Sequence, residues 1–136
     1  MIKATTTYRV IYADTDKMGY LYYGHYAKLY EIGRSELIRD LGLTYHHMEE
    51  KLQIMMPVLQ LTCRYVQPAL YDNLLTIETT IAERPTKMIT FSHKVFNQDQ
   101  RLLNKGEVKL FFIAMDTNKR VSCPTYLSEK IDPFFE

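Results

Sequence analysis

A chain of 136 residues is the size of one domain, because a second hydrophobic core within it would be too small to hold itself together. With 46% apolar and 24% charged residues it has the composition of a folded globular protein rather than a disordered segment. Its 17 basic and 16 acidic residues are interspersed, for a formal net charge of +1, so nucleic acid is not an expected partner.

The N-terminus, MIKATTTYRV, lacks the apolar core of a signal peptide, and no run approaches the roughly 18 consecutive apolar residues of a membrane span. The expected location is the cytoplasm. Cys63 and Cys123 stand apart from one another and from any histidine at metal-ligand spacing, which reads as two reduced thiols. His46 and His47 are adjacent, and H-H-M-E does not place two imidazoles on one helical face, so no metal is expected.

In chain order, Thr5 to Tyr12 alternates and is rich in β-branched and aromatic residues, which predicts a strand. A turn follows, carrying Asp14 and Asp16 with Gly19 to let the backbone bend. A helix is expected from about Tyr22 to His25 onward, ending near Leu41 at Gly42. Tyr26, Tyr30, Gly33, Leu37 and Leu41 form its apolar stripe, widened by Leu29 and Ile32, and Lys28, Glu31, Ser35 and Arg39 fall opposite. Glu31 and Arg34, three apart, read as a surface or rim ion pair.

Thr44 to Leu52 suggests one or two further helical turns. The period then changes to two. Leu59 to Tyr65, Leu75 to Ile81 and Ile89 to Val95 alternate between unlike faces, separated by turns at Pro68 to Asn73 and Arg84 to Thr86. Asn97 to Arg101 reads as a hairpin loop before a last long strand through Val108 to Ala114. There Phe111, Ile113 and Met115 are apolar on the second face too, as in a strand that is covered twice or lies at an interface. Pro124 to Ile131 closes the chain with a short helix. One long helix followed by four strands on short turns argues for an α+β fold with an antiparallel sheet.

The chemistry concentrates between Tyr12 and Arg34. A helix start leaves backbone N–H groups without partners and carries partial positive charge, which can polarise a carbonyl. A carboxylate just upstream complements it for acyl chemistry: one group attacks or activates water, and the other stabilises the oxyanion.

The run Asp14-Thr15-Asp16, then Gly19, Tyr22, Tyr26, Glu31 and Arg34, resembles the signature of the 4-hydroxybenzoyl-CoA thioesterase group of hot-dog-fold acyl-CoA thioesterases. The resemblance implies a long central helix wrapped by a curved antiparallel sheet, in one domain over residues 1–136. It also implies hydrolysis of an acyl-CoA thioester to free acid and coenzyme A, with no cofactor beyond the coenzyme A of the substrate. Asp16 would be the catalytic carboxylate, as nucleophile or as general base, and the backbone N–H near Tyr23 would meet the thioester carbonyl. Gly19 and Tyr22 belong to the same motif as substrate-binding positions. The family pairs as homodimers, which can pair further into tetramers.

Two positions depart from that pattern. Many members have His where this chain has Tyr23, and many have Asn where it has His25, which leaves His25 balanced between packing and positioning. A non-catalytic module that holds an acyl-CoA or acyl-carrier thioester is the alternative these departures keep open. Dehydration of a hydroxyacyl thioester is a further one, without a comparably specific motif. Arg64, Lys119 and Arg120 are candidates to meet coenzyme A phosphates, because Arg forks and Lys point charges suit them. Asp14 reads as a turn-stabilising carboxylate, His93 as a core histidine with its hydrogen bonds satisfied, and His47 as solvent-facing.

Overall fold

The computed structural model describes residues 1–135. Strand β1 (Ile2–Arg9) leads through a single 3-10 turn (Tyr12–Asp14) and a small hairpin to a second 3-10 turn (Tyr23–His25), which runs directly into helix α1 (Tyr26–Asp40). Helix α2 (Tyr45–Glu50) and the two-residue strand β2 (Ile54–Met55) follow. Then come β3 (Val58–Tyr65), β4 (Leu74–Ile81), β5 (Met88–Phe96), β6 (Leu102–Ala114), β7 (Lys119–Val121) and helix α3 (Thr125–Ile131).

The sheet is antiparallel throughout, in the order β1-β4-β5-β6, with β3 and β2 on the far edge of β6 and β7 folded back on the end of β6. Helix α1 lies across β1, β4 and β5. This is the α+β arrangement, a helix wrapped by an antiparallel sheet, that the sequence implies. Among the described residues no helix is long and apolar enough to cross a membrane.

Alternation decides which face meets the helix. Leu75, Ile77, Ile81, Ile89, Phe91, Val95, Val108 and Leu110 are buried on the inner face, while Glu78, Ser92, Lys94, Lys105 and Glu107 share the outer one. Each large apolar side chain removed from water contributes roughly 1.5–3 kcal/mol, which outweighs the ~1 kcal/mol cost of Gly33 within α1. That glycine is there for space. A Cβ on it would lie 2.9 Å from Ile77 Cγ2 and against Thr79 Oγ1, so the helix could not rest on β4 at its present depth with any larger residue.

Three expectations need correction. The first strand ends at Arg9 rather than Tyr12, because the Asp14 carboxylate accepts the Ile11 N–H at 3.0 Å and turns the chain early. Arg34 does not pair with Glu31: it is 8% exposed, packed near Tyr45 of α2, and forms no ion pair among the described residues. The sheet also holds β2 and β7, each too short to register as a period in the sequence. The apolar second face of β6 is covered in part by β7, whose Arg120 guanidinium stacks 4.2 Å above Phe111.

His93 is only partly satisfied. Its Nδ1 is hydrogen-bonded to Thr79 Oγ1 at 3.0 Å and its ring stacks on Tyr30 at 4.5 Å, but its buried Nε2 has no partner. Burial, with the Arg34 guanidinium adding to it, pushes its pKa down to about 3.

Candidate active site

The two aspartates of the turn are put to different uses. Asp14 is 3% exposed and accepts hydrogen bonds from Tyr8 Oη at 2.8 Å, the Ile11 N–H at 3.0 Å and Lys28 Nζ at 3.0 Å. Burial on its own raises the Asp14 carboxyl, but these donors and the Lys28 charge outweigh it and hold the group below the usual range. Lys28 also donates to Tyr8 Oη at 3.0 Å, so strand, turn and helix meet in one knot. Every oxygen of Asp14 is engaged in holding the fold.

Asp16 sits at the tip of a hairpin closed by the Asp16 N–H to Tyr20 O bond at 2.8 Å and the Tyr22 N–H to Asp14 O bond at 2.8 Å. Its Oδ1 accepts from the Met18 N–H at 2.9 Å and the Tyr20 N–H at 3.1 Å. Gly19 makes this tip possible, with φ at +83°, a conformation that a side chain disfavours. The hairpin is tied to the segment after β3 by the Leu21 N–H to Ala69 O bond at 2.8 Å. Two donors on one oxygen fix the carboxylate's direction and leave Oδ2 without a hydrogen bond among the described residues. Such an oxygen is available to attack a carbonyl carbon or to take a proton from water.

Asp16 opens into a hollow of about 250 Å³ walled by Tyr20, Tyr23, Tyr26, Tyr65 and Val66, with Gln67 as a polar side chain besides. Tyr65 Oη donates to Tyr23 O at 3.3 Å, which braces the far wall against the helix start. Burial pushes the Tyr26 hydroxyl up to about 12, so it stays protonated and can only donate or accept hydrogen bonds. Tyr23 opens the 3-10 turn in which the His25 N–H bonds back to Tyr22 O at 2.9 Å, and the Tyr23 and Gly24 N–H groups precede that first bond. They are the orphan donors of a helix start. The Asp16 carboxylate and Tyr23, the first residue of that turn, thus line one hollow.

Of the sequence candidates, Asp16 and Tyr23 line this hollow, whereas Gly19, in the turn, and Tyr22, at the cap of the 3-10 turn, are not among its lining residues. His25 lies beside it, edge-on to the Tyr22 ring at 5.5 Å, and forms no side-chain hydrogen bond among the described residues. Arg64 is not part of it: the alternation of β3 turns Tyr65 toward the hollow and Arg64 to the outer face of the sheet. Lys119 and Arg120 lie on β7, outside the residues that line it. Tyr20, Tyr65 and Gln67 escaped the sequence reading. The period-two pattern gives the face of Tyr65, but tertiary ties such as the Leu21–Ala69 bond and the Tyr20–Leu70 bridge bring that end of β3 to the aspartate.

Comparison with known proteins assigns the chain to a family. The model of the Thioesterase superfamily matches residues 18–104. The acyl-CoA thioester hydrolase YbgC of Escherichia coli is 32% identical over 104 residues, which is 74% of this chain and 74% of that protein. The DHNA-CoA thioesterase of Staphylococcus aureus superposes with a TM-score of 0.90 at 30% identity, over 99% of this chain and 90% of the other. A 4-hydroxybenzoyl CoA thioesterase variant complexed with 4-hydroxybenzoyl CoA shares the fold, with a TM-score of 0.86 at 21% identity over 96% of this chain and 99% of the other. With its curled antiparallel sheet, its helix and a family match that runs from Met18 through α1 to the start of β6, the chain belongs to the thioesterase superfamily, in its hot-dog fold.

Proposed function

We propose that the protein hydrolyses an acyl-CoA thioester in the hollow beside Asp16. The observation that carries this reading is the division of labour at Asp16, where Oδ1 is pinned by two backbone N–H groups and Oδ2 is left free at the mouth of an apolar pocket. The names of the relatives, acyl-CoA thioester hydrolase and DHNA-CoA thioesterase, support the same class of substrate.

In this mechanism the thioester oxygen lies against the N–H groups at Tyr23 and Gly24, where the helix start offsets the charge that develops on it. Asp16 Oδ2 either attacks the carbonyl carbon, expelling the coenzyme A thiolate and leaving an anhydride that water opens, or removes a proton from the water that attacks. Both routes end in free acid and coenzyme A. Tyr26 and Tyr65 give the acyl group an aromatic wall and keep water away from its far side. No cofactor or metal takes part.

Release of free thiol from a panel of short, medium, long and aromatic acyl-CoAs tests the reading. Turnover of at least one class is expected. Tight binding of an acyl-CoA with no thiol release would instead favour a module that holds the thioester intact.

A homodimer fits the edge of the sheet. Among the described residues strand β3 bonds only to β6, and its other edge exposes Val58, Leu59, Leu61 and Tyr65, apolar side chains beside unpaired backbone groups. Pairing of two such edges would join the sheets. Sedimentation should give a dimer, or a pair of dimers, for the parent protein and a smaller species for Leu61→Lys. An unchanged mass for that variant would move the interface elsewhere.

A further inference from the structure

The outer face of the sheet carries a second hollow, of about 540 Å³, that shares no lining residue with the Asp16 pocket. Register places Glu78 opposite Lys94, Lys94 opposite Lys105, and Lys105 opposite Arg64, so three cations stand side by side across three strands. Like charges directly opposite one another across strands are destabilising. Neighbouring carboxylates do not resolve this. Among the described residues the one ion pair within 4.0 Å at this hollow is Lys3 with Glu78 at 3.8 Å, which leaves Lys94, Lys105 and Arg64 without an anionic partner at that distance.

The next rung is of a different kind. Thr80 stands opposite Ser92, Ser92 opposite Glu107, and Glu107 opposite Thr62, so three hydroxyls and one carboxylate run parallel to the three cations. Lysine and arginine beside hydroxyl donors are the side chains that bind phosphate oxygens. A carboxylate at such a site repels phosphate but accepts hydrogen bonds from sugar hydroxyls. The volume is that of a small-molecule site. A second copy of the same face is a poor occupant, since four lining cations and two carboxylates would meet the same excess of positive charge.

We propose that this outer face binds a free nucleoside diphosphate or triphosphate, with its phosphates along Lys94, Lys105 and Arg64 and its ribose hydroxyls at Glu107. The site is separate from the pocket of the proposed hydrolysis and does not rest on that reading. It gives the protein a means of sensing a nucleotide on the side of the sheet opposite the thioester.

Calorimetric titration of the whole protein with ADP, ATP, pyrophosphate and adenosine, at low and at moderate salt, tests the proposal. One saturable ADP site per chain is expected, with pyrophosphate binding and adenosine not, and with affinity falling as salt screens the cations. Lys105→Gln should weaken ADP at least tenfold, and Glu107→Gln should weaken ADP but not pyrophosphate. These side chains are exposed, and a circular dichroism spectrum matching the parent's establishes that the variants fold. Lack of saturation at millimolar ADP in low salt, or equal affinities in parent and variants, would overturn the site. Kinetics distinguish a free nucleotide from the nucleotide end of coenzyme A. If Lys105→Gln raises KM for an acyl-CoA and leaves KM unchanged for the same acyl group on N-acetylcysteamine, the hollow serves the substrate and the separate site is refuted. Unchanged KM for both supports it.

Discussion

Asp16→Asn is expected to lower kcat for acyl-CoA hydrolysis by about 10²–10⁴-fold, the range over which a positioned acid–base group acts. Asparagine keeps an oxygen that can accept the Met18 and Tyr20 N–H groups, so the hairpin tip survives. What it loses is the second oxygen, because an amide nitrogen can neither attack the thioester nor take a proton from water. Asp14→Asn should behave in the opposite way. Its three donors, among them a lysine, would meet an NH₂ group in place of one oxygen, at a cost of roughly 1–3 kcal/mol of stability. Turnover per folded molecule should stay near the parent's. Thiol release measured beside thermal unfolding separates the two effects, and parent-like kcat in Asp16→Asn would remove this residue from the mechanism.

Acid should destabilise the protein from about pH 6.5 downward, through His93. In the folded chain, burial and the Arg34 guanidinium hold this imidazole neutral until about pH 3, while in the unfolded chain it takes a proton near its ordinary value of about 6.5. Above that value neither state is protonated and the group contributes no slope. Below it the unfolded state binds the extra proton, so stability falls as pH falls, by up to about 1.4 kcal/mol per pH unit until the folded-state value is reached. Asp14 adds to the loss at the acidic end. Its folded carboxyl is held below its unfolded value, and the stability this confers disappears as pH drops through the folded one. His93→Phe keeps a flat ring against Tyr30 but cannot titrate. Its urea midpoint should therefore change less than the parent's between pH 6.5 and 4, although loss of the Thr79 partner lowers it at neutral pH. Parallel midpoints for the two proteins across that range would show that another group governs the acid transition.

Most of the scaffold was legible because it is periodic. The stripe from Tyr26 to Leu37 located α1, the glycine at 42 set its end within a residue or two, and the clean alternation of β4 and β5 gave the faces of Ile77 and Phe91 correctly, while the expected start at Tyr22 to His25 falls in the 3-10 turn before α1. Legibility ended where a side chain competed with the local pattern. Asp14 cut β1 short by taking the Ile11 N–H, a tertiary use of a carboxylate that β propensity does not register. Arg34 lies at the margin of the helical stripe. Only the position of α2 decides that its guanidinium is enclosed near Tyr45 rather than wet beside Glu31.

The site divided along the same line. Asp16 and Tyr23, which both line the hollow, belong to one continuous stretch. Tyr65 and Gln67 reach the hollow from the end of β3 through tertiary contacts, among them the Leu21–Ala69 bond and the Tyr20–Leu70 bridge, for which spacing in the sequence gives no sign. Arg64 illustrates the converse. A basic residue one position from a pocket-lining tyrosine lies on the other side of a sheet.

The dependence of β3 on β6 also bears on how the chain is made. Leu61 leaves the ribosome well before Val108, its partner in the register, and β2 waits for β6 in the same way. At translation speeds of about 5–20 residues per second, an apolar strand spends on the order of seconds with neither edge paired. The N-terminal part, β1 through β4, can bring its own two strands together in that time, but the far half of the sheet forms only when β6 arrives. Newly made chains therefore pass through an interval in which both edges of β3 are open to any other strand, and chaperone demand should be set by this interval rather than by the stability of the finished fold.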